Sequence, residues 1–196
     1  SDRYGHYRQL FGDDFVKKAH EAKFFLVGCG ALGCEFLKNI AMMGLGAKGA
    51  IHITDDDVIE LSNLSRQFLF RRKHVSKLKS TSAADVAMEM NSEIKAGMNV
   101  HKIRVEPKTE NVFNAKFWDE IQFVINALDN IHARNYMDGK CVLHGKPLFE
   151  SGTLGTQANS SVHIPHKTPS YKEGSPPGEG GGIAMCTLTN FPYEPL

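Results

Sequence analysis

The stretch FFLVGCGALG, from Phe24 to Gly33, determines which fold this chain can adopt. Its apolar start predicts a short buried strand, after which Gly28, Gly30 and Gly33 follow in the pattern G-x-G-x-x-G. A second apolar run, IHIT, ends on the acidic residues Asp55 to Asp57. This order is typical of a nucleotide-binding βαβ unit, in which phosphates lie on the backbone N–H groups at the start of the helix.

Strand and helix patterns alternate along the chain around this unit. Predicted strands cover 24–28, 50–54, 99–105, 123–127, 147–150 and 157–165, and predicted helices cover 31–43, 77–90, 113–120 and 131–143. Residues 3–23 add an amphipathic helical segment. Because strands that alternate with helices form parallel sheets covered on both faces, we predict an α/β, Rossmann-like fold with a mostly parallel sheet.

The composition changes after Pro165. Residues 166–182 contain three prolines and five glycines among polar residues. Such a segment gains too little from burial to offset the entropy of ordering it. We therefore predict one folded domain over residues 1–165 and a flexible crossover segment over 166–196, with weak order expected over 166–183.

Composition excludes several classes of partner. Lys and Arg number 23 against 22 Asp and Glu, so the chain has no basic surplus with which to bind nucleic acid. Its apolar runs are too short to cross a membrane, and its N-terminus lacks the layout of a signal peptide. The four cysteines form no C-x-x-C pair, which favours a reducing cytoplasmic or nuclear location over a disulfide scaffold or a zinc site.

Further motifs resemble those of the active adenylation half of ubiquitin-activating enzymes. They are the glycine motif with Cys34-Glu35, Thr54-Asp55-Asp56-Asp57, S-N-L-S-R-Q-F from Ser62, A-L-D-N from Ala127, E-S-G-T-L-G-T from Glu150, and C-T-L from Cys186 with Phe191-Pro192. The resemblance extends from Arg3 to Pro192. It implies that ATP and the C-terminal glycine of ubiquitin form an acyl-adenylate, which a cysteine of the enzyme then converts to a thioester.

The resemblance implies an adenylation domain with a site for ATP and Mg²⁺. Asp55, at the end of the second strand, would bind the ribose hydroxyls. Arg66 and Lys79 would be catalytic, because cations must offset the repulsion between a carboxylate and the phosphates. The full nucleotide-binding set implied is Gly28, Gly30, Ala31, Gly33, Asp55, Asp57, Asn63, Arg66, Gln67, Lys79, Asp129 and Asn130.

Three other roles follow from the same resemblance. Asp129 would hold the magnesium ion, although an aspartate in this place is also a good helix N-cap, and one residue can serve both purposes. Asp57 has either a magnesium or a structural role. Cys186 would be the thioester nucleophile, whereas Cys29, Cys34 and Cys141 lie in apolar patterns and are expected to be buried and inert.

The implied partners are ubiquitin or a ubiquitin-like protein, a ubiquitin-conjugating enzyme, and an inactive adenylation half that completes the ATP site. No second half is present in these 196 residues. We therefore expect a fragment that ends just after its catalytic cysteine, binds ATP weakly and has little activity alone.

Four other functions compete with this interpretation. An NAD(P) oxidoreductase would explain the glycines but give no role to Arg66, Lys79 or Asp129. A bacterial sulfur-carrier adenylating enzyme often has C-x-x-C zinc pairs, which this sequence lacks. An inactive scaffold would need none of the polar site residues. An activating enzyme for another ubiquitin-like modifier is the closest rival, and the sequence leaves it open.

Overall fold

A six-stranded sheet forms the centre of the computed structural model, which describes residues 2–154 and 157–174. The strands are β1 Lys23–Val27, β2 Ala50–Thr54, β3 Met98–His101, β4 Phe123–Asn126, β5 Leu148–Leu154 and β6 Gln157–His163. Their order is β3-β2-β1-β4-β5-β6, with every neighbouring pair parallel except the antiparallel pair β5–β6. The predicted Rossmann-like, mostly parallel architecture is therefore confirmed.

The helices are α1 Gly5–Phe11, α2 Asp13–His20, α3 Ala31–Met43, α4 Lys79–Met90, α5 Ala115–Glu120, α6 Ile131–Leu143 and α7 Tyr171–Gly174. The bounds of α3 and α6 are those predicted from the sequence. Helix α4 begins two residues later than predicted, because Leu78 is extended and forms an isolated bridge with Val58. The third strand ends at His101 rather than at the predicted residue 105.

Hydrophobic clusters cover both faces of the sheet. Phe24 and Leu26 of β1 pack into the cluster under α3 and α4, whereas Phe25 and Val27 pack into the cluster under α5 and α6. All four side chains are at most 4% exposed, as expected for a central parallel strand.

Strand β1 lies between β2 and β4, so the chain leaves β1 in one direction across the sheet and later returns on its other side. The carboxyl ends of β1, β2 and β4 therefore meet where the strand order reverses. Ligands of open α/β sheets bind in the crevice at this switch point.

The segment after β6 is held against α6. Asp138 is 3% exposed, and its carboxylate accepts hydrogen bonds from the backbone N–H groups of Tyr171, at 2.9 Å, and Lys172, at 3.2 Å. Residues 166–174 thus differ from the predicted unstructured linker, because a buried carboxylate supplies acceptors to a segment that has little apolar surface of its own. The predicted linker over 175–183 and Cys186 lie outside the described residues, and the domain boundary at 165 stays a prediction.

Candidate functional site

A cavity of about 310 Å³ opens at the carboxyl ends of the central strands. Val27, Thr54 and Ala127, at the ends of β1, β2 and β4, form part of its wall. Ten of the twelve nucleotide-binding residues expected from the sequence line it: Gly28, Gly30, Ala31, Asp55, Asp57, Arg66, Gln67, Lys79, Asp129 and Asn130. The fold therefore brings together residues that are up to 102 positions apart in the sequence.

The glycine turn forms the floor of the cavity. Gly28 has φ = +99°, and a Cβ atom there would lie 2.5 Å from the carbonyl oxygen of Ala127. Gly33 does not line the cavity, but a Cβ atom there would lie 2.2 Å from the carbonyl oxygen of Gly28. Helix α3 begins after Gly30, and no side chain caps it. The first N–H groups of this helix are therefore free of side-chain competition for an anionic ligand.

Asp55 is fixed at the end of β2 by two backbone hydrogen bonds. Its Oδ2 accepts from the N–H of Cys29 at 2.7 Å, and its Oδ1 accepts from the N–H of Asp57 at 2.8 Å. Burial raises the pKa of Asp55, and these two bonds act in the opposite direction. Each carboxylate oxygen keeps a further lone pair for a ligand hydroxyl, which suits the ribose role expected for Asp55.

Lys79 brings a buried cation to the cavity from the first turn of α4. It is 9% exposed, and its Nζ lies 2.8 Å from Oδ2 of Asp57. Arg104 was not predicted from the sequence. Its Nη2 lies 3.2 Å from Oδ1 of Asp57, and its Nε lies 3.0 Å from Oδ1 of Asp56. Asp57 therefore lies between two cations, which favours the structural alternative for this residue.

Arg66 and Gln67 each have a buried polar atom that finds no hydrogen-bond partner within the described part of the chain. Arg66 makes one long hydrogen bond, from Nη1 to the carbonyl oxygen of Ser62 at 3.4 Å, and its buried Nε has no partner. Gln67 is 3% exposed, and its Oε1 is also without a partner. Both side chains line the cavity, so the guanidinium of Arg66 and the amide of Gln67 stand beside any polar ligand bound there.

The structure separates the two roles that the sequence left open for Asp129. Asn130, not Asp129, caps α6, because its Oδ1 accepts from the N–H of Ala133 at 2.8 Å. Asp129 is exposed, and its Oδ1 has one long hydrogen bond, from Nδ2 of Asn130 at 3.4 Å. The Asp129 carboxylate thus remains available to a cation in the cavity.

The acidic side chains at the cavity suit a magnesium ion that is held by a single protein carboxylate. Within residues 2–154 and 157–174, the acidic trio close enough to share a metal ion is Asp55 to Asp57, and Asp129 is not part of it. Two members of that trio are paired with Lys79 and Arg104. Magnesium in nucleotide sites is commonly held by one or two carboxylates, with phosphates and water as the other ligands. Asp129 fits that single-carboxylate arrangement.

Asn63 occupies a different place from the one expected. It is 8% exposed, and its Oδ1 accepts from the N–H of Glu60 at 2.9 Å. This bond shapes the 3-10 turn Leu61–Ser65, which precedes Arg66 and Gln67. The side chain of Asn63 does not line the cavity, so any effect of Asn63 on a ligand would act through this turn.

Three of the four cysteines are accounted for by the described residues. Cys29, Cys34 and Cys141 are free and buried, as predicted. Burial raises the pKa of the Cys34 thiol to about 12 and raises the pKa of the other two as well. These thiols are therefore unsuited to nucleophilic chemistry. Cys186 lies outside the described residues.

A model of the ThiF family matches residues 4–191. The chain belongs to the ThiF family. Relatives at about half identity are the "Ubiquitin-like modifier-activating enzyme 1" of Dictyostelium discoideum, 51% identical over 93% of this chain, and the "Ubiquitin-activating enzyme E1 1" of Candida albicans, 50% identical over 98%. The "Ubiquitin-like modifier-activating enzyme 6" of Homo sapiens is 46% identical over 97%. This ThiF-family chain spans 18–19% of the length of these relatives.

A solved structure shares the fold of the ThiF-family chain. It is the crystal structure of E. coli MccB with MccA-N7isoASN, which covers 87% of this chain at a TM-score of 0.74 and 23% identity. The match involves 49% of the MccB chain. No helix within residues 2–154 and 157–174 is long and apolar enough to cross a membrane.

Proposed function

We propose that this chain is the ATP-binding part of a ubiquitin-activating enzyme, which adenylates the C-terminal glycine of ubiquitin and then forms a thioester with it. The observation that carries the proposal is the cavity at the strand switch point, where Asp55, Arg66, Lys79 and Asp129 meet above the glycine turn. The substrate is inferred from the names of the relatives, which are about 50% identical over most of this chain.

The first step joins two anions, so its main obstacle is charge repulsion. The glycine carboxylate attacks the α-phosphorus of ATP, the bond to the β-phosphate oxygen breaks, and pyrophosphate leaves. Asp55 orients the ribose, while the start of α3 offers N–H groups to the phosphates. Lys79 and Arg66 stabilise the charge that develops on the α-phosphate, which is usually the largest contribution in such chemistry.

Lys79 has to leave Asp57 in order to reach a phosphate. The exchange is assisted by Arg104, because its guanidinium remains on the other oxygen of Asp57 and keeps that carboxylate neutralised. Asp129 would hold a magnesium ion, which would neutralise charge on the phosphates.

The second step is assigned to Cys186. Its thiolate attacks the carbonyl carbon of the adenylate, and AMP leaves. The proposed partners are ubiquitin, a ubiquitin-conjugating enzyme that accepts the thioester, and an inactive adenylation half that completes the ATP site. A cytoplasmic and nuclear location is part of the same proposal.

The test is ATP–pyrophosphate exchange by the full-length protein that carries this sequence. We expect exchange that depends on ubiquitin, that is lost in Arg66→Ala, and that persists in Cys186→Ala. The same Cys186→Ala variant should form no thioester. If exchange requires another ubiquitin-like modifier and not ubiquitin, that modifier is the substrate instead of ubiquitin. If neither supports exchange, the proposal is rejected.

A further inference from the structure

A buried ion pair underlies the cavity and is not part of the nucleotide-binding set. Arg134, in the first turn of α6, is 2% exposed, and Glu150, on β5, is 3% exposed. Nη1 of Arg134 donates to Oε1 of Glu150, and Nη2 of the same guanidinium donates to the carbonyl oxygen of Leu128. The residue after Leu128 is Asp129, so one arm of Arg134 holds the backbone next to the proposed magnesium ligand.

Glu150 is anchored on its other side. Its Oε2 accepts from Nδ2 of Asn126 at 2.7 Å, and its Oε1 also accepts from the N–H of Ser151 at 3.1 Å. Oγ of Ser151 donates to the carbonyl oxygen of Asn126 at 3.0 Å. Asn126 is the last residue of β4. The carboxylate therefore fixes the guanidinium relative to two neighbouring strands of the sheet.

The space for the guanidinium depends on Gly152. A Cβ atom there would lie 2.7 Å from Oδ1 of Asn159, and 3.2 Å from Nη2 and 3.3 Å from Nη1 of Arg134, all closer than ordinary van der Waals contact. The A-L-D-N motif and the E-S-G-T motif are thus two halves of one contact. The first contributes the carbonyl of Leu128, and the second contributes Glu150 and the open space at Gly152.

A gain in folding stability does not explain why the chain has this buried ion pair. Taking both charges out of water costs about as much as their attraction returns, and apolar replacements of buried pairs are often neutral or stabilising. What the pair does provide is fixed geometry, because a planar guanidinium donates in two set directions at once. The two directions here lead to the sheet and to the backbone beside Asp129.

We propose that Arg134 is a positioning residue, which Glu150 orients so that the Leu128 carbonyl, and with it Asp129, is held in the cavity. This inference rests on the proposed function, in which Asp129 binds the magnesium of ATP. Partners that orient a metal ligand typically contribute 10- to 100-fold to affinity or activity. Arg134 would not contact the Asp129 carboxylate itself, but would hold the backbone next to it.

Arg134→Lys is the diagnostic variant. It keeps the positive charge beside Glu150, but a single ammonium group cannot reproduce the two fixed directions of the guanidinium. We expect the affinity of the full-length protein for Mg·ATP, measured by calorimetry, to fall about tenfold in this variant. Glu110→Gln is the control, because Glu110 forms an ion pair with Lys140, which lies on α6 like Arg134 but away from the cavity. It should bind Mg·ATP like the wild type.

A double-mutant cycle with Asp129→Asn separates positioning from a general structural effect. If Arg134 acts through Asp129, Arg134→Lys should cost less than twofold in the Asp129→Asn background, because the group it positions is already lost. An equal loss in both backgrounds would overturn the inference while leaving the proposed function intact. Should Arg134→Lys not fold, Glu150→Gln takes its place in the cycle, with the same outcomes. A wild-type protein that binds no Mg·ATP would instead reject the proposed function.

Discussion

Gly33→Ala tests whether the packing of α3 on the glycine turn limits the sequence. The new Cβ atom would lie 2.2 Å from the carbonyl oxygen of Gly28, which is 1.2 Å short of the 3.4 Å at which ordinary contact begins. Backbone, not a flexible side chain, would have to move. Alanine favours helix by about 1 kcal/mol over glycine, and overpacking costs about 1–3 kcal/mol or more. Because the clash is with backbone, the overpacking cost should lie in the upper part of that range, about 2–3 kcal/mol, which leaves a net loss of about 1–2 kcal/mol in the free energy of unfolding.

Gly139→Ala provides the matched control. Gly139 is also a helical glycine with ordinary φ, but an added Cβ atom there would meet nothing within 4 Å. This variant should gain up to about 1 kcal/mol from helix propensity alone. The two variants should therefore differ by about 2–3 kcal/mol, which at roughly 2–4 °C for each kcal/mol in a domain of this size is a difference in Tm of roughly 4–12 °C.

Thermal unfolding followed by circular dichroism gives the stability, and nucleotide titration gives the functional consequence. Gly33→Ala must displace the backbone of Gly28, which lines the cavity, so its affinity for ATP should fall along with its Tm. The affinity of Gly139→Ala should not change. Equal Tm values for the two variants would refute the packing explanation of the third glycine.

Three further predictions concern charge, pH and thiol reactivity. Lys79→Met should lower kcat/KM for ubiquitin-dependent exchange about 100-fold, because it removes the buried cation. Lys38→Met, which replaces a half-buried lysine of α3 that does not line the cavity, should have no such effect, and an equal loss in both variants would contradict the role of Lys79. Burial lowers the pKa of His52 to about 4, below the 6.5 of the unfolded chain, so the free energy of unfolding should fall as the pH falls from about 6.5 to about 4. The expected loss is roughly 1–2 kcal/mol once solvent screening is allowed for, and His52→Leu should reduce it in acid titrations followed by fluorescence. Cys29, Cys34 and Cys141 should react with Ellman's reagent only on unfolding, since burial raises the pKa of all three, and rapid labelling of any of them in the native protein, located by peptide mass spectrometry, would contradict this.

Helix α3 shows what the sequence could predict. Its start follows the glycine motif, and its end is Gly44, which has φ = +67° and forms the left-handed cap. Both signals lie within the segment itself, so the bounds of the helix follow from local chemistry. The meeting of the motif residues at one cavity could also be predicted, because the carboxyl ends of adjacent parallel strands lie at the same edge of the sheet.

The end of β3 and the role of Arg104 depend on contacts between distant segments. Oγ1 of Thr54 donates to the carbonyl oxygen of Ile103, so the chain leaves the sheet where an apolar pattern would have continued it. That turn brings Arg104 to Asp56 and Asp57, nearly 50 residues away. No motif marks this arginine, and its only sequence signal is its position just after a strand that lies beside β2.

The arrangement around Asp57 explains why the cavity has an acidic rim although its expected ligand is an anion. Lys79 is 9% exposed, and an unpaired ammonium group at that depth would be costly to bury without ligand. Asp57 compensates the charge of Lys79, and on the proposed function Arg104 would compensate that of Asp57 once a phosphate binds Lys79. If Lys79 binds a phosphate as proposed, Asp57 should weaken nucleotide binding to some degree, because its bond to Lys79 must be exchanged. On the same proposal, the buried cation does not depend on bound ATP for its stability.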